Sequence, residues 1–250
     1  MKIVSEIKAI HADPKLKVYG SPRMTEELIA KGYNICENTV AKWMQEIGIQ
    51  AKRNPTFKPP KTTVADPNAK YSPNLIASIT PVRFGEILIS DITYIRTKEG
   101  WMYLAVVIDL YSRMVVGWKL DHRMPTELVT GALKDAVKNW GIDTCNTIFH
   151  SDRGSQYTSN EMRTLLKKMK ITQSMSAKGN CYDNAACESF FSSFKRELLP
   201  DCGYFDHPLQ AHYAIFEHIE GFYNTRRRHS SIGMLAPLEF LNQTESAVAA

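Results

Sequence analysis

The 250-residue sequence lacks any long hydrophobic run. No apolar stretch approaches the roughly 20 residues that a membrane-spanning helix needs. The first residues, Met1 to Glu6, lead directly into a charged segment, without the hydrophobic region of a signal peptide. These absences argue against membrane and secreted proteins, and we expect a cytoplasmic protein.

The chain also has few cysteines, and they are scattered. The five are Cys36, Cys145, Cys181, Cys187 and Cys202. No two of them form a C-x-x-C pair, so neither a disulfide framework nor a structural zinc site is indicated. We expect reduced cysteines in or near the core.

Positive charge exceeds negative charge only slightly. Lysine and arginine number 31 and aspartate and glutamate 26, for a formal net charge of +5. This excess is a weak indication of a polyanionic partner. Part of it collects in runs, for example Lys167 to Lys170 and Arg226 to Arg228. Such runs are usually solvated surface, so alone they prove little.

Residues 1–51 are predicted to form short helices. Ser21 and Pro22 are typical of an N-cap followed by proline at the first helical position. Asn34 and Glu37 resemble a capping box for the next helix. Two short helices joined by a glycine-containing turn are compatible with a DNA-binding helix-turn-helix. A small packing domain without DNA contacts remains an open alternative.

The rest of the chain has the pattern of an α/β protein. Residues 52–77, rich in proline and lysine, are predicted to be a linker. Three β-rich runs with hairpin-length connections then predict antiparallel strands over 87–95, 102–110 and 114–120. Further strands are predicted over 147–150 and 171–175, and helices over 125–140, 159–170, 184–198 and 208–223. We therefore predict a core over 78–224 with a mixed five-stranded sheet and helices on both faces, followed by a basic C-terminal tail over 225–250.

Three acidic residues lie where soluble cores rarely place them. Asp91 is inside a β-rich run, Asp152 directly follows the strand predicted to end at His150, and Glu188 is inside a predicted helix. The carboxyl edge of a strand is where α/β sheets usually place their sites. Each acid alone has a structural explanation, as a turn cap, an N-cap or an exposed side chain. Three at once on separate elements favour a site.

The helix that carries Glu188 has a definite geometry. At about 100° per residue, its phenylalanines share one arc that must face the core. Ser192 and Lys195 then lie within about 40° of Glu188, beside that arc. An acid and a base therefore line one stripe at the edge of the packed face.

The chemistry of magnesium gives a reason for such a trio. Mg²⁺ prefers carboxylates and water and keeps positions for phosphate oxygens of a substrate. Two such ions can activate an attacking oxygen and stabilise a leaving one at phosphorus. Carboxylates close together repel one another without a metal, and a cation relieves that repulsion.

The three acids stand in a specific setting. The second aspartate follows the first after 60 intervening residues, and the glutamate follows after 35 more. The surrounding strings are Ser90 to Ile95, His150 to Tyr157, Lys178 to Ala185, Glu188 to Phe191 and Tyr223 to His229. Together they closely resemble the OrfB-type transposases of bacterial insertion sequences, in the third insertion-sequence family, which share the DDE catalytic core of retroviral integrases. The resemblance runs from about Tyr19 to Phe240.

The resemblance implies a fold, an activity and a set of site residues. It implies a ribonuclease-H-like core, preceded by a helix-turn-helix domain, that cleaves and transfers DNA strands with two Mg²⁺ ions, for which Mn²⁺ substitutes. Asp91, Asp152 and Glu188 would be the metal ligands, and Lys195 matches a basic position of these enzymes. The expected partners are transposon ends and target DNA, with a homo-oligomer on the DNA and the protein associated with the nucleoid. The residues expected to contact DNA are Thr39, Lys42, Arg153, Lys178, Asn180, Lys195, Arg196, Arg226, Arg227 and Arg228.

Two departures from the family pattern matter. Relatives usually have tryptophan three residues before the first aspartate, where this chain has Leu88, and we expect a tolerated packing change. The chain is also expected to lack a helical stretch that precedes this region in relatives. It would then be either a shortened copy or the downstream part of a fusion with a DNA-binding partner from an upstream frame.

Two other functions remain open on the sequence. A nuclease of the same fold would use water instead of a 3′-hydroxyl as the nucleophile. A regulator without catalysis would use only the helix-turn-helix and the basic tail. The three intact acids argue against the regulator, because a DNA-binding protein does not need them.

Overall fold

The computed structural model describes residues 2–52, 71–176 and 185–248. Three helices come first, α1 (Lys2–Ala12), α2 (Ser21–Ala30) and α3 (Glu37–Glu46). They pack around a small core of their own, which also includes Phe222 from the far end of the chain. The helices predicted for residues 1–51 are therefore present, and their core is continuous with a C-terminal side chain.

The predicted caps of α2 and α3 are wrong. The N-cap of α2 is Gly20, and Ser21 is already helical. The N-cap of α3 is Cys36, which makes no side-chain capping bond, so Asn34 and Glu37 do not form a capping box. The hydroxyl of Ser21 instead donates to Glu37 Oε1 at 3.1 Å, which ties the starts of the two helices together.

The core contains one mixed sheet in the order β3-β2-β1-β4-β5. Its strands are β1 (Ile87–Thr97), β2 (Gly100–Asp109), β3 (Val115–Asp121), β4 (Ile148–Ser151) and β5 (Thr172–Met175). β1, β2 and β3 pair antiparallel, whereas β4 pairs parallel with both β1 and β5. The predicted mixed five-stranded sheet is confirmed, and β1 is its central strand.

Helices cover both faces of this sheet. They are α4 (Thr126–Trp140), α5 (Ser155–Thr158), α6 (Asn160–Met169), α7 (Ala185–Leu198), α8 (Pro208–His218) and α9 (Pro237–Val248). Side chains of α4, α6 and α9 pack on one face, and side chains of α7 and α8 pack on the other. Leu88 is fully buried on the α4 face, as expected of a packing position. Within the three described ranges, no helix is long and apolar enough to cross a membrane.

Two segments differ from their sequence interpretation. Part of the predicted linker packs on the core, since Ile76 is buried and the amide of Leu75 donates to Ser174 Oγ at 2.9 Å. The predicted basic tail contains the helix α9, and Leu241 of this helix is buried against the sheet. The amide of Leu238 also donates to the carbonyl of Asn224 at 2.9 Å. Apolar residues after the arginine run supply enough buried surface to fold this segment.

Candidate active site

The register of the central strands places Asp91 beside Asp152. Ser90 of β1 pairs with Ser151, the last residue of β4, and each aspartate is the next residue along the chain. Neighbouring strands lie about 4.8 Å apart, and side chains alternate between the two faces. Asp91 therefore lies on the same face of β1 as Ile89, which is the face covered by α7. Two carboxylates meet where β4 ends.

The environment of Asp91 favours its protonated form. Burial, followed by the charges of Asp152 and Glu188, raises its pKa to about 7, whereas a hydrogen bond from the Ile92 amide and the charge of Lys195 act in the opposite direction. The Ile92 amide donates to Oδ1 at 2.8 Å. The pKa of Asp91 therefore depends on the charges of Asp152, Glu188 and Lys195, the other residues predicted for the catalytic site.

Asp152 is held by a tight turn. The amide of Gly154 donates to Asp152 Oδ1 at 2.9 Å. A Cβ atom at position 154 would lie 3.0 Å from that same oxygen, so a larger residue would crowd the carboxylate. Burial raises the pKa of Asp152, and the Gly154 hydrogen bond partly opposes this. Gly154 is therefore a positioning residue that the sequence analysis did not single out.

Helix α7 presents its polar stripe as predicted. Cys187, Phe190 and Phe194 are buried on the sheet. Glu188 lies exposed in the first turn, and Lys195 is half-buried about two turns further along the same stripe. Burial lowers the pKa of Lys195, and the negative charge of Asp91 partly restores it. An ammonium group therefore lies within electrostatic reach of Asp91.

The carboxylate oxygens of this site suit a divalent cation, but the three acids lie too far apart to hold one together. Within the described part of the chain, neither Asp91 nor Asp152 uses its Oδ2 atom in a hydrogen bond. In the same ranges, no three His, Cys, Asp or Glu side chains lie close enough together to hold a metal ion. A metal shared by all three acids would therefore require one of them to move, and the exposed Glu188 is the least restrained by packing.

Two buried ionisable groups, Tyr157 and Cys187, lie within electrostatic reach of the aspartates, and the sequence patterns assigned neither to the site. The hydroxyls of Ser90 and Tyr157 lie 3.0 Å apart on the opposite face of the sheet. Burial raises the pKa of Tyr157, and the charges of Asp91 and Asp152 raise it further. Cys187 on α7 responds to the same charges, and burial is again the main reason that its pKa is raised. Cys187 is next to Glu188 in the sequence, so adjacency was an available signal for Cys187 but not for Tyr157.

The residues expected to contact DNA fall into different environments. Lys42 on α3 has 75% of its side chain exposed and lies 3.9 Å from Glu46, and Thr39 is half-buried on the same helix. The Arg153 side chain already has a hydrogen-bond partner within the chain, because its Nε donates to the Ser176 carbonyl at 2.9 Å. Arg196 lies at the side of α7, with its guanidinium 3.7 Å from Glu197. Lys178 and Asn180 lie outside the described residues.

Each arginine of the run 226–228 has an acidic partner within the chain. Arg226 lies 2.7 Å from Asp13 and is 44% exposed. Arg228 lies 2.6 Å from Glu27, and both side chains are largely buried. Arg227 is almost fully buried and contacts Glu197. Two of these pairs join the N-terminal helices to the C-terminal segment. The run therefore has a structural role that the sequence alone did not indicate.

Glu197 is the centre of a buried network. Both of its oxygens accept hydrogen bonds from Arg227, each at 2.8 Å. Burial alone would raise the pKa of Glu197, but the hydrogen bonds and charge of Arg227 outweigh this and lower it. His218 Nε2 lies 3.8 Å away, and its pKa is lowered by burial to about 4. The contact between Arg227 and Glu197 is a bidentate pair of the kind that arginine forms best.

Comparisons with known proteins agree with this architecture. Family models described as integrase core domains match residues 82–181 and 169–237, and a model described as an HTH-like domain matches residues 1–56. The chain also resembles an intasome structure of simian T-cell lymphotropic virus in complex with the PP2A regulatory subunit B56 gamma. That likeness has a TM-score of 0.52 at 14% identity and covers 94% of this chain and 74% of the other. It supports the ribonuclease-H-like integrase fold only.

Sequence relatives are much more similar. Transposase InsF of insertion sequence IS3A from Escherichia coli is 41% identical over 231 residues, which cover 90% of this chain and 77% of that protein. The insertion element IS600 uncharacterized 31 kDa protein from Shigella sonnei is 36% identical over 236 residues, which cover 94% and 85%. The chain therefore belongs to the IS3-type insertion-sequence transposases, enzymes of DNA transposition built on an integrase core domain.

Proposed function

We propose that Asp91, Asp152 and Glu188 form the catalytic site and hold two Mg²⁺ ions, which Mn²⁺ can replace. The observation that carries this proposal is the pairing of Ser90 with Ser151, which sets Asp91 and Asp152 side by side. The raised pKa of Asp91, to which burial contributes most and Asp152 and Glu188 contribute further, is consistent with a site that a cation would stabilise.

Each residue has a defined task in this proposal. The bound ions would supply charge stabilisation at phosphorus and activation of an attacking oxygen. Asp91 and Asp152 provide hard oxygen ligands from fixed strand positions, and Glu188 completes the set from α7. Gly154 and the Ile92 amide orient the two aspartates. Lys195 binds a phosphate oxygen beside them, because its charge interacts with Asp91 from the helix that covers the same sheet face.

The substrates in this proposal are transposon ends and target DNA. Thr39 and Lys42 on α3 contact the duplex from the helix-turn-helix, and the exposed lysine supplies sequence-independent attraction. Arg153 and Arg196 are proposed contacts near the catalytic residues, and Arg153 would keep its bond to Ser176. Lys178 and Asn180, which lie outside the described residues, are also proposed to contact DNA. We further propose that the chain acts as a homo-oligomer on DNA, because a single copy offers one catalytic site for two transposon ends.

A hydroxyl-terminated oligonucleotide tests the proposed chemistry. The chain is incubated with a pre-cleaved end, a target duplex and Mg²⁺, and the products are sized. Joined products support strand transfer, whereas shortened products alone indicate a nuclease of the same fold. Asp152→Asn keeps an acceptor for the Gly154 amide, so it should bind DNA and yield neither product. Joining by Asp152→Asn at the unmodified rate would contradict the proposal.

A further inference from the structure

A polar cleft lies beside α7. It has a volume of about 290 Å³ and lies between the first half of α7, the turn that joins β2 to β3, and the segment after Tyr223. Three arginines and several serines line it: Arg23, Arg113, Arg227, Ser189, Ser193 and Ser230. No acidic residue is among the lining residues in the described ranges.

The three arginines are held in place by other groups. Arg227 is fixed by Glu197, and its Nη1 lies 3.4 Å from His229 Nε2. Arg23 donates from Nε to the Arg228 carbonyl at 2.8 Å and stacks on Tyr19. This arrangement keeps the guanidinium groups in the cleft without using all of their donors.

Arg113 is the least satisfied of the three. Its backbone has a φ of 65°, and its carbonyl accepts a hydrogen bond from the Tyr223 hydroxyl at 3.1 Å. Its Nε is buried and has no hydrogen-bond partner within the described residues. A buried donor without a partner costs free energy, so an acceptor in the cleft would stabilise it.

The charges around the cleft do not balance. Glu197 compensates Arg227, but Arg23 and Arg113 have no comparable acid within the described ranges. Burial raises the pKa of Asp109 and the charge of Arg113 acts in the opposite direction, but the oxygens of Asp109 accept hydrogen bonds from Gly85 and Ser112 and not from Arg113. His229 stays neutral, because burial and then the charges of the three arginines lower its pKa to about 2. Excess positive charge in a partly buried cleft is unfavourable unless an anion compensates it.

We propose that this cleft binds the oxyanion of a phosphate group. The guanidinium forks of Arg23 and Arg113 match two phosphate oxygens, and the serine hydroxyls supply further donors. The source of that phosphate is a DNA backbone, a point that rests on the proposed function. Ser189 in the cleft directly follows Glu188, so a strand held here would pass beside the proposed catalytic residues.

The test uses the full chain and inorganic phosphate as the probe. Thermal unfolding is followed with phosphate and with chloride at equal ionic strength, because a ligand that binds only the folded state raises the midpoint. The variant is Arg113→Asn, since asparagine tolerates the left-handed backbone at this position. Lys138→Gln, an exposed change on α4, is the matched control. Ser193→Asp is a second variant, which places a carboxylate in the cleft.

The same variants are compared for DNA binding at several salt concentrations. If Arg113 binds a DNA phosphate, Arg113→Asn should reduce the log–log salt slope by about one unit, and Lys138→Gln should leave it unchanged. A phosphate-specific rise of the midpoint that both cleft variants abolish, together with the reduced slope, supports a DNA backbone phosphate. The same rise with an unchanged slope supports the oxyanion site but assigns it to free phosphate.

One result would contradict phosphate binding in the cleft and leave the catalytic proposal unaffected. If phosphate stabilises no more than chloride and the salt slope of Arg113→Asn is unchanged, the cleft binds no oxyanion. Joining activity is measured in parallel with the unmodified chain. Absence of phosphate binding with joining intact would reject this inference alone, whereas absence of joining would reject the proposed function alone.

Discussion

The two ends of α7 carry two glutamates in opposite situations. Glu188 lies exposed in the first turn near two aspartates, and Glu197 lies near the last turn with 1% of its side chain exposed. Glu197 is nine positions after Glu188, which places the two on opposite faces of the helix at about 100° per residue. Glu188 raises the pKa of Asp91, while Arg227 lowers the pKa of Glu197 below its usual range.

In the proposed function, this difference separates an acid that binds a metal from an acid that stabilises the fold. Glu197 is matched in charge and hydrogen bonds by one arginine, so it stabilises a single arrangement of the chain. Asp152 and Glu188 both raise the pKa of Asp91, and in the proposed site a bound cation would relieve this repulsion. We therefore expect substitutions at the two ends of α7 to affect different measurements.

The largest expected effect is on strand joining. Asp91→Asn, Asp152→Asn and Glu188→Gln should each reduce joining by about 10³-fold or more, because each removes part of the charge that compensates the reacting phosphate. Their thermal unfolding without metal should occur at or above the unmodified midpoint, since mutual repulsion decreases. Joining is measured on a pre-cleaved end, and any variant with near-normal turnover is not part of the site.

Glu197→Gln should show the reverse behaviour. Removal of this charge leaves Arg227 buried without its partner, which should lower the free energy of unfolding by about 3–5 kcal/mol. Glu217→Gln is a suitable control, because its pair with Lys15 is exposed and should be worth at most about 1 kcal/mol. Urea unfolding of both variants measures these two losses of unfolding free energy. Equal losses would mean that the buried pair contributes no more than a surface pair.

Lys195→Ala should have a moderate effect on chemistry. The ammonium is half-buried beside Asp91, so its loss should reduce joining by about 10–100-fold and reduce DNA affinity by less. Lys195→Arg keeps the charge and should restore part of the activity. A drop in affinity as large as the drop in joining would make Lys195 a simple binding residue.

The smallest expected effect is a pH dependence of the Glu197 pair. The pKa of Glu197 in the folded chain is below its ordinary value of 4.5. Its stabilisation is therefore fully present above pH 4.5 and is lost as the pH falls through the lower, folded value. The difference in unfolding free energy between the unmodified chain and Glu197→Gln should be constant at neutral pH and should shrink in acid. A difference that grows as the pH falls below that ordinary value would reverse the assigned sign.

Much of the fold and the core of the site could be predicted from local patterns. Strand periodicity and hairpin-length connections indicated the antiparallel half of the sheet, and the apolar arc of α7 placed Glu188 and Lys195 on one stripe. Asp91 was recognisable because aspartate is unusual inside a strand. These features depend on residues close together in the sequence, where the helical and strand periods determine the geometry.

What could not be predicted depends on partners far apart in the sequence. Arg226 and Arg228 looked like solvated charge because their partners, Asp13 and Glu27, lie 213 and 201 residues away. The helix α9 was missed for a related reason, since its burial depends on a sheet face formed by earlier strands. The capping box failed because Glu37 is engaged by Ser21 from another helix. In each case, contacts between distant parts of the chain determined the structure, and the local sequence pattern did not predict them.

Magnesium binding in the absence of DNA tests the central claim most directly. The thermal midpoint of the unmodified chain should rise with Mg²⁺ concentration, because a metal that binds only the folded state stabilises it. Asp91→Asn, Asp152→Asn and Glu188→Gln should each lose most of that rise. Glu197→Gln should start from a lower midpoint and keep the full rise. An equal Mg²⁺ response in all four variants would contradict the account, because the metal would then not be held by these three carboxylates.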